Sequence, residues 1–269
     1  MSSFIAYDAE TRGANIDERN FGEMPNPALK SSQTFLMFPQ TKEQGSIDSE
    51  VSTPPLDKDH CDLSKLTAAS PSSTTLAPKA QHTILLYFKS QIQAHNGNRP
   101  LGFFNHTSWV MQTPPLLATN RSSWNNDQLV HFIGTGLDAP YVDIVLNNLD
   151  DGAHPIHLHG YSFMVLSSFR AEGRSGWGSY NPYTSVPPGP MNLRNPVVKD
   201  TVAVPRRGHV VIRLKADNPG LWMMHCHMLV HMGTGMVTGL QVGAVDDFDH
   251  SKGMDLSAGS LCKGIHVAK

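Results

Sequence analysis

One short segment near the C-terminus concentrates side chains that bind metals. Residues His225 to Met236 read HCHMLVHMGTGM, with Cys226 between two histidines and His231 five residues after the cysteine. A buried imidazole must satisfy two ring nitrogens, so three imidazoles around one thiol are costly unless they bind something. Two histidines, one thiolate and a long axial methionine form the ligand set of a blue-copper electron-transfer site. The segment supplies this set except for one histidine.

A second segment supplies the missing histidine. Residues 154–160 read HPIHLHG. Successive side chains of a strand point to opposite faces, and residues two apart share a face. If both segments are extended and adjacent, they therefore build two metal sites on opposite sides. One site would collect His154, Cys226, His231 and Met236, and the other would collect His157, His159, His225 and His227.

The two segments resemble the third and fourth copper motifs of the multicopper oxidases, the family of laccases, ascorbate oxidases and ferroxidases. The resemblance covers about residues 81–243 and includes NPVVKD (195–200) and ADNPGLW (216–222). It implies copper as the cofactor, with a complete type 1 site and partial type 2 and type 3 sites. The implied ligands are His154, Cys226, His231 and axial Met236 for type 1, His157 for type 2, and His159, His225 and His227 for type 3.

Two other interpretations of these residues stay open. A cluster of cysteine and histidine can hold structural zinc, which takes four tetrahedral ligands and often paired cysteines. A single nearby cysteine and the many histidines fit zinc less well. Met236 could instead fill a gap in the core, as methionine often does. Its spacing from Cys226 favours the axial position.

The rest of the sequence predicts an all-β protein. Short β-rich runs separated by Gly, Pro, Asn and Asp favour a sandwich or barrel, and the resemblance specifies a cupredoxin-like Greek-key β-sandwich with an irregular N-terminal segment. Short helical turns are expected at 124–132 and 229–232. The predicted parts are 1–50 (remnant of a preceding cupredoxin-like domain), 51–80 (Ser/Thr/Pro-rich linker), 81–245 (C-terminal copper domain) and 246–269 (tail).

Charge and hydropathy exclude some partners. The net charge of −2 gives no reason to expect nucleic acid or an anionic membrane surface. No apolar stretch is long enough to span a bilayer. The resemblance implies a small-molecule reductant and dioxygen instead.

The N-terminal sequence suggests an incomplete chain. MSSFIAYDAE lacks the basic segment and apolar core of a signal peptide. The sequons at Asn105 and Asn120 nevertheless suit a secreted protein. The family closes its three-copper cluster with two more H-x-H motifs from an N-terminal domain, and the other eight histidines form no such pair. We therefore expect a fragment of a secreted glycoprotein whose leader and first domains lie upstream.

The two remaining cysteines leave the disulfide state open. Cys61 and Cys262 flank the predicted copper domain and could form a bridge between linker and tail. Two unpaired thiols, or bridges to partners in a missing part, are equally compatible with three cysteines.

The predicted function is a laccase-like oxidation of phenolic or related donors, one electron at a time, coupled to reduction of dioxygen to water. The electron would enter at His231, or alternatively at His154, and Cys226 would pass it on. Asp200 in NPVVKD is a candidate for proton delivery, unless it is an ordinary surface or turn residue. A ferroxidase is the alternative, because an acidic residue at the spacing of Asp150 from His154 helps bind ferrous iron in ferroxidases. A non-catalytic electron-transfer domain or remnant with type 1 copper is a third possibility.

Overall fold

A computed structural model describes most of the predicted copper domain and two strands before it. The described residues are 3–8, 32–37, 66–68, 75–119, 121–134, 139–171 and 177–244. The chain divides into two compact units, Met1–Cys61 and Asp62–Lys269. In the first unit, β1 (Ser3–Asp8) pairs antiparallel with β2 (Ser32–Met37).

The described part of the second unit is built almost entirely of strands. In chain order these are β3 (His82–Gln93), β4 (Arg99–Phe104), β5 (Val130–Ile133), β6 (Tyr141–Asn148), β7 (His154–Leu158), β8 (Phe163–Phe169), β9 (Val198–Lys199), β10 (Thr201–Val204), β11 (His209–Lys215), β12 (Gly220–Cys226) and β13 (Val237–Val242). Short 3-10 helices occupy Ala94–Asn96, Leu116–Ala118 and Arg121–Ser123, and the α-helix α1 occupies Leu229–Gly233.

The strands form two sheets that share one core. One sheet has the order β4-β3-β6-β11-β8-β9, and the other has the order β10-β7-β12-β13-β5. Along β3, the alternate residues Ile84, Leu86 and Phe88 are apolar and lie in the core. The largest buried cluster joins such residues from both sheets. The all-β, cupredoxin-like sandwich predicted from the sequence is thus confirmed.

One of the two predicted helical turns is correct and the other is wrong. The segment at 229–232 lies within α1. The segment at 124–132 is a turn followed by β5, which pairs in parallel with β13 at the sheet edge. Its VHFI sequence has the β-branched and aromatic residues that fit a half-buried strand. Within the described ranges, no helix has the length and apolar character needed to cross a membrane.

The outer face of the six-stranded sheet is covered rather than exposed. Arg213 on β11 lies opposite Asp143 on β6, and its guanidinium donates to both carboxylate oxygens at 2.6 and 2.8 Å. Arg213 also donates to the Ala77 carbonyl oxygen, and its exposed fraction is only 1%. Ala77 lies inside the predicted linker, and Thr75 in the same segment forms an antiparallel bridge to Arg194.

A buried and an exposed ion pair allow a stability test with an internal control. Asp143→Ala leaves Arg213 buried without its partner, so it should cost about 3–5 kcal/mol of unfolding free energy. Asp151→Ala removes one ion-pair partner of Arg207, but the Asp151 side chain is 66% exposed, and exposed pairs contribute about 0–1 kcal/mol. Urea denaturation of both variants checks this, and similar losses in the two would contradict the burial argument.

Candidate metal centre

The two motif segments lie side by side in the five-stranded sheet. β7 and β12 pair antiparallel, with His157 opposite His225 and Ile156 opposite Cys226. Directly opposite residues of an antiparallel pair have their side chains on the same face. Cys226 and His154 therefore face the core, while His157 and His225 face the other side. The separation predicted from residue spacing is present in this register.

The core-facing group consists of two imidazole nitrogens and one thiol sulfur. The Cys226 Sγ atom lies 3.6 Å from His154 Nδ1 and 3.7 Å from His231 Nδ1. The two Nδ1 atoms are 3.1 Å apart. His154 and Cys226 are buried, and His231, on α1, is partly exposed.

These separations fit a single metal ion held by all three residues. Bonds of about 2.0 Å to nitrogen and about 2.3 Å to sulfur, spread about 120° apart, would place sulfur and nitrogen about 3.7 Å from each other. The observed sulfur–nitrogen separations are 3.6 and 3.7 Å. Two nitrogens 3.1 Å apart correspond to a somewhat narrower angle of about 100° at the metal. The group suits a three-coordinate N2S site better than a zinc site with paired cysteines.

A carboxylate fixes the orientation of the His154 ring. His154 Nε2 lies 3.0 Å from the Asp150 Oδ2 atom, which also accepts a hydrogen bond of 2.7 Å from the Ser90 backbone N–H. With its proton on Nε2, the His154 ring presents a lone pair on Nδ1 toward Cys226. Such outer partners of histidine ligands fix the tautomer and raise ligand basicity. The sequence pointed to Asp150 only as a possible iron-binding residue, and Ser90 contributes a main-chain group without a sequence signal.

Met236 lies directly across the sheet from Cys226. The register of β12 with β13 pairs His225 with Val237, and the next pair is Cys226 with Met236, whose carbonyl oxygen accepts from the Cys226 N–H at 3.1 Å. Opposite residues on one face have Cβ atoms about 4.5–5.5 Å apart. Met236 is fully buried in the same cluster as Cys226. The Met236 side chain therefore leaves the backbone on the same side of the sheet as the Cys226 side chain.

The outward-facing group consists of three histidines, His157, His159 and His225. Their candidate ligand nitrogens all lie within 4.8 Å of one another. The Nε2 atoms of His159 and His225 are 3.1 Å apart, a separation that fits two ligands of one metal ion. The Nδ1 atom of His225 lies 3.0 Å from the Cys226 carbonyl oxygen, so its proton is held there and Nε2 is available to a metal.

His157 is oriented by the start of β10. Its Nδ1 atom lies 3.0 Å from the Asp200 carbonyl oxygen and 2.9 Å from the Thr201 Oγ1 atom. Asp200 thus contacts this group through its backbone, while its side chain is exposed. Nothing in the sequence pointed to Thr201. The carboxylate role predicted for Asp200 stays a prediction.

His227 lies beside the outward-facing group but outside its three-nitrogen cluster. Its ring stacks on the His225 ring at 5.7 Å and meets the His157 ring edge-on at 5.8 Å. Its backbone N–H donates to the Pro155 carbonyl oxygen at 2.7 Å. The side chain is exposed. The structure therefore places His227 on the predicted face, next to the other three histidines.

Burial shifts the proton affinities of both groups in the direction that leaves them neutral. Burial lowers the pKa of His231, and the adjacent His154 lowers it further. Burial is also the main cause of the lowered pKa of His225 and of His159, and neighbouring imidazoles add to it. Burial raises the pKa of the Cys226 thiol to about 11. A metal ion must therefore displace the thiol proton, but it finds these imidazoles unprotonated.

Comparison with known proteins identifies the family. Residues 93–246, more than half of the chain, match the family described as multicopper oxidase. The chain belongs to the multicopper oxidase family. Members of this family are copper-dependent oxidoreductases that use small-molecule reductants and dioxygen.

The similar proteins include iron transport multicopper oxidases and laccases. The chain is 30% identical over 244 residues to the iron transport multicopper oxidase FET5 of Saccharomyces cerevisiae, covering 83% of this chain and 37% of that protein. It is 38% identical over 137 residues to laccase-12 of Oryza sativa subsp. japonica, covering 51% of this chain and 21% of that protein. The chain thus spans well under half the length of these relatives.

A solved multicopper oxidase supports the fold. The structure of Fet3p, described as a multicopper oxidase that functions in iron import, matches with a TM-score of 0.63 at 21% identity, over 91% of this chain and 47% of that chain. At this identity the likeness concerns the fold. It agrees with the two-sheet sandwich that carries both groups of histidines.

The thiol of this multicopper oxidase gives a direct test of the burial of the core-facing group. In the metal-free chain Cys226 should ionise near pH 11, because burial raises its pKa to about 11. An ordinary thiol ionises at about pH 8.5. The difference in thiolate ultraviolet absorption between the chain and its Cys226→Ser variant, followed as pH rises, isolates this one thiol. A midpoint in the ordinary range would contradict the buried placement.

Proposed function

We propose that the chain carries the type 1 copper site and part of the oxygen-reducing cluster of a secreted, laccase-type multicopper oxidase. The core-facing group would hold type 1 copper, with Met236 as its axial ligand. The outward-facing group and His227 would contribute to the type 2 and type 3 sites, His157 to type 2 and the others to type 3. Bound copper would supply one-electron redox chemistry, taking electrons from a reductant for the four-electron reduction of dioxygen to water.

One observation carries this proposal: Cys226 belongs to the first group by its side chain and to the second by its neighbours. Its Sγ atom lies within 3.7 Å of both type 1 imidazoles. Its carbonyl oxygen lies 3.0 Å from the His225 Nδ1 atom. An electron received at the sulfur would thus reach the other group along the Cys226 backbone, either through the peptide bond to His225 or through the hydrogen bond between the Cys226 carbonyl oxygen and His225 Nδ1. Cys226 therefore connects the two groups directly.

The surroundings of His231 support an organic electron donor. His154 is only 2% exposed, and Asp150 covers its outer nitrogen, so His231 is the accessible imidazole. Leu229 and Val230, which precede His231 on α1, are 76% and 69% exposed. Large apolar side chains beside an accessible ligand offer a surface on which an aromatic donor can pack, with its electrons transferred through the His231 ring.

The oxygen-reducing part would need ligands beyond those described. His159 and His227 are exposed on the outer face of the sheet, so further ligands can approach them from that side. We propose that N-terminal domains of the whole protein supply these ligands. Asp200, whose carbonyl oxygen holds His157, remains our candidate for proton delivery through its exposed carboxylate.

Secretion remains a proposal that rests on the sequons. Asn105 lies at the turn after β4, where its side-chain nitrogen donates to the Leu85 carbonyl oxygen at 3.2 Å. Its side-chain oxygen accepts from the Tyr87 N–H at 2.8 Å. The described fold thus uses this amide to hold the turn against β3. Asn120, Cys61 and Cys262 lie outside the described residues, and so does the predicted tail.

Oxidation of ferrous iron is the second candidate, and Asp150 is the observation that favours it. Its Oδ2 atom takes both the His154 and the Ser90 contacts, so Oδ1 is not used by either. A cation bound at Oδ1 would be separated from His154, a proposed type 1 ligand, only by the Asp150 carboxylate group. Hard cations prefer such oxygen ligands.

The copper site itself can be tested by colour. The chain loaded with Cu(II) should show the intense visible absorption of a thiolate–copper bond. The Cys226→Ser variant should lack it, because it removes the only thiolate in the group, and Cys61→Ser should retain it. Absorption that is unchanged in Cys226→Ser, or a chain that binds zinc and gives no blue copper form, would refute the type 1 assignment.

The donor can be tested by following the loss of blue colour without oxygen. In Asp150→Asn an amide oxygen can still accept from His154, but the charge is gone. If the natural donor is a phenol, a phenol should bleach the blue colour faster than Fe(II) does. The rate of bleaching by the phenol should change less than about fivefold in Asp150→Asn, since one partly exposed charge contributes about 1 kcal/mol at most.

The opposite result would identify iron as the donor. Bleaching by Fe(II) would then be the faster reaction, and Asp150→Asn would slow it more than about tenfold, or 1.4 kcal/mol. Bleaching by a donor without any oxygen uptake afterwards would instead match a chain that only transfers electrons.

A further inference from the structure

The segment that carries His231 and Met236 is held from outside by a strand of the other sheet. We use the name copper loop for residues 227–236. Gly102 on β4 donates its backbone N–H to the Thr234 carbonyl oxygen at 2.9 Å. Ser108 Oγ donates to the same oxygen at 3.1 Å, and the Trp109 N–H donates to the Gly235 carbonyl oxygen at 3.0 Å. β4 belongs to the six-stranded sheet, whereas the copper loop connects two strands of the five-stranded sheet.

The closest approach occurs at Gly102. A Cβ atom built on Gly102 would lie 2.6 Å from the Met236 Cβ atom, 2.7 Å from its backbone nitrogen and 3.0 Å from its Cα atom. Carbon atoms in contact are ordinarily about 3.5–4.0 Å apart. Two of the three atoms belong to the backbone of Met236, so a rotamer change of its side chain cannot relieve the overlap. Any residue other than glycine at this position must displace Met236.

Displacement of Met236 matters because of what it faces. Met236 lies opposite Cys226, and its carbonyl oxygen accepts from the Cys226 N–H at 3.1 Å. The axial bond of a blue-copper site is long and weak, and the identity and strength of the axial ligand tune the redox potential. A weak bond yields easily, whereas repulsion between overlapping atoms rises steeply. The close packing of β4 against the backbone and Cβ atom of Met236 therefore restricts where its side chain can lie.

We propose that Gly102 is a positioning residue for the copper site. Because it has no side chain, β4 packs directly on Met236 and sets the distance from the thioether to the metal, and with it the redox potential. This inference rests on the proposed type 1 site. It adds a residue from a strand that carries no ligand, about 130 positions before the methionine it controls.

The reduction potential and visible spectrum of the copper-loaded Gly102→Ala variant test this inference. Displacing Met236 should weaken the axial bond and thus stabilise Cu(II) less. We expect the equilibrium constant for one-electron reduction of the copper to increase by up to about tenfold. This corresponds to a rise in the reduction potential of up to about 59 mV. The thiolate–copper absorption should shift with it. Gly189→Ala is the matched control, because a Cβ atom there meets nothing within 4 Å, and its potential and spectrum should equal those of the unmodified chain.

A second background separates positioning of Met236 from a general loss of packing. Met236→Leu should itself raise the potential, since leucine cannot bind the metal. Adding Gly102→Ala to Met236→Leu should then change the potential little, because the thioether that Gly102 positions is gone. A full additional shift in this background would overturn the inference, and so would an unchanged or lowered potential in Gly102→Ala alone.

A milder variant covers the case in which Gly102→Ala fails to fold. Ser108→Ala removes one hydrogen bond from the Thr234 carbonyl oxygen and leaves the backbone contacts in place. It should shift the potential in the same direction by a smaller amount, and no shift would count against control of the copper loop by this segment. If the unmodified chain forms no blue centre, the proposed function fails. If it does and the variants match it, only the present inference fails.

Discussion

Both groups of metal-binding side chains depend on the register between β7 and β12. Cys226 lies opposite Ile156 and His225 lies opposite His157, so that Cys226 and His154 share one face of the sheet and His157 and His225 share the other. A shift by one residue would exchange the faces of every side chain on one strand relative to the other. The thiol would then leave His154, and the outward histidines would lose His225. The apolar residues that alternate with the ligands, such as Leu158 and Met224, hold the register because they are buried in the core.

Removing imidazole nitrogens from water costs free energy, and hydrogen-bond partners outside the metal positions offset part of this cost. Asp150 and the Ser90 N–H hold His154, the Asp200 carbonyl oxygen and Thr201 hold His157, and the Cys226 carbonyl oxygen holds His225. Each of these contacts occupies one ring nitrogen and leaves the other toward the metal position. The ligands are therefore oriented before any metal binds, which reduces the entropy lost on binding.

The sequence predicted the parts of this arrangement that depend on local spacing. Alternation along a strand assigned His154 and Cys226 to one face and His157 to the other, because that period is a property of the backbone. It could not predict which distant groups complete the site. Ser90 and Gly102 contribute a backbone N–H and an absent side chain, and neither has a sequence signal. The same limit applies to Arg213, a charged residue that the structure buries against Asp143.

The two metal groups differ in how far they are enclosed, and this difference follows from their places in the fold. The N2S group lies between the sheets, beside Phe88, whose ring meets His154 edge-on at 5.5 Å. A hydrophobic surrounding of this kind limits solvent access to a bound metal and influences its redox potential. The three-histidine group lies on the outer face of the sheet, where, under the proposed function, further ligands and dioxygen would approach. Cys226 spans the boundary between the two environments, and under the proposed function it would carry electrons from the enclosed group to the open one.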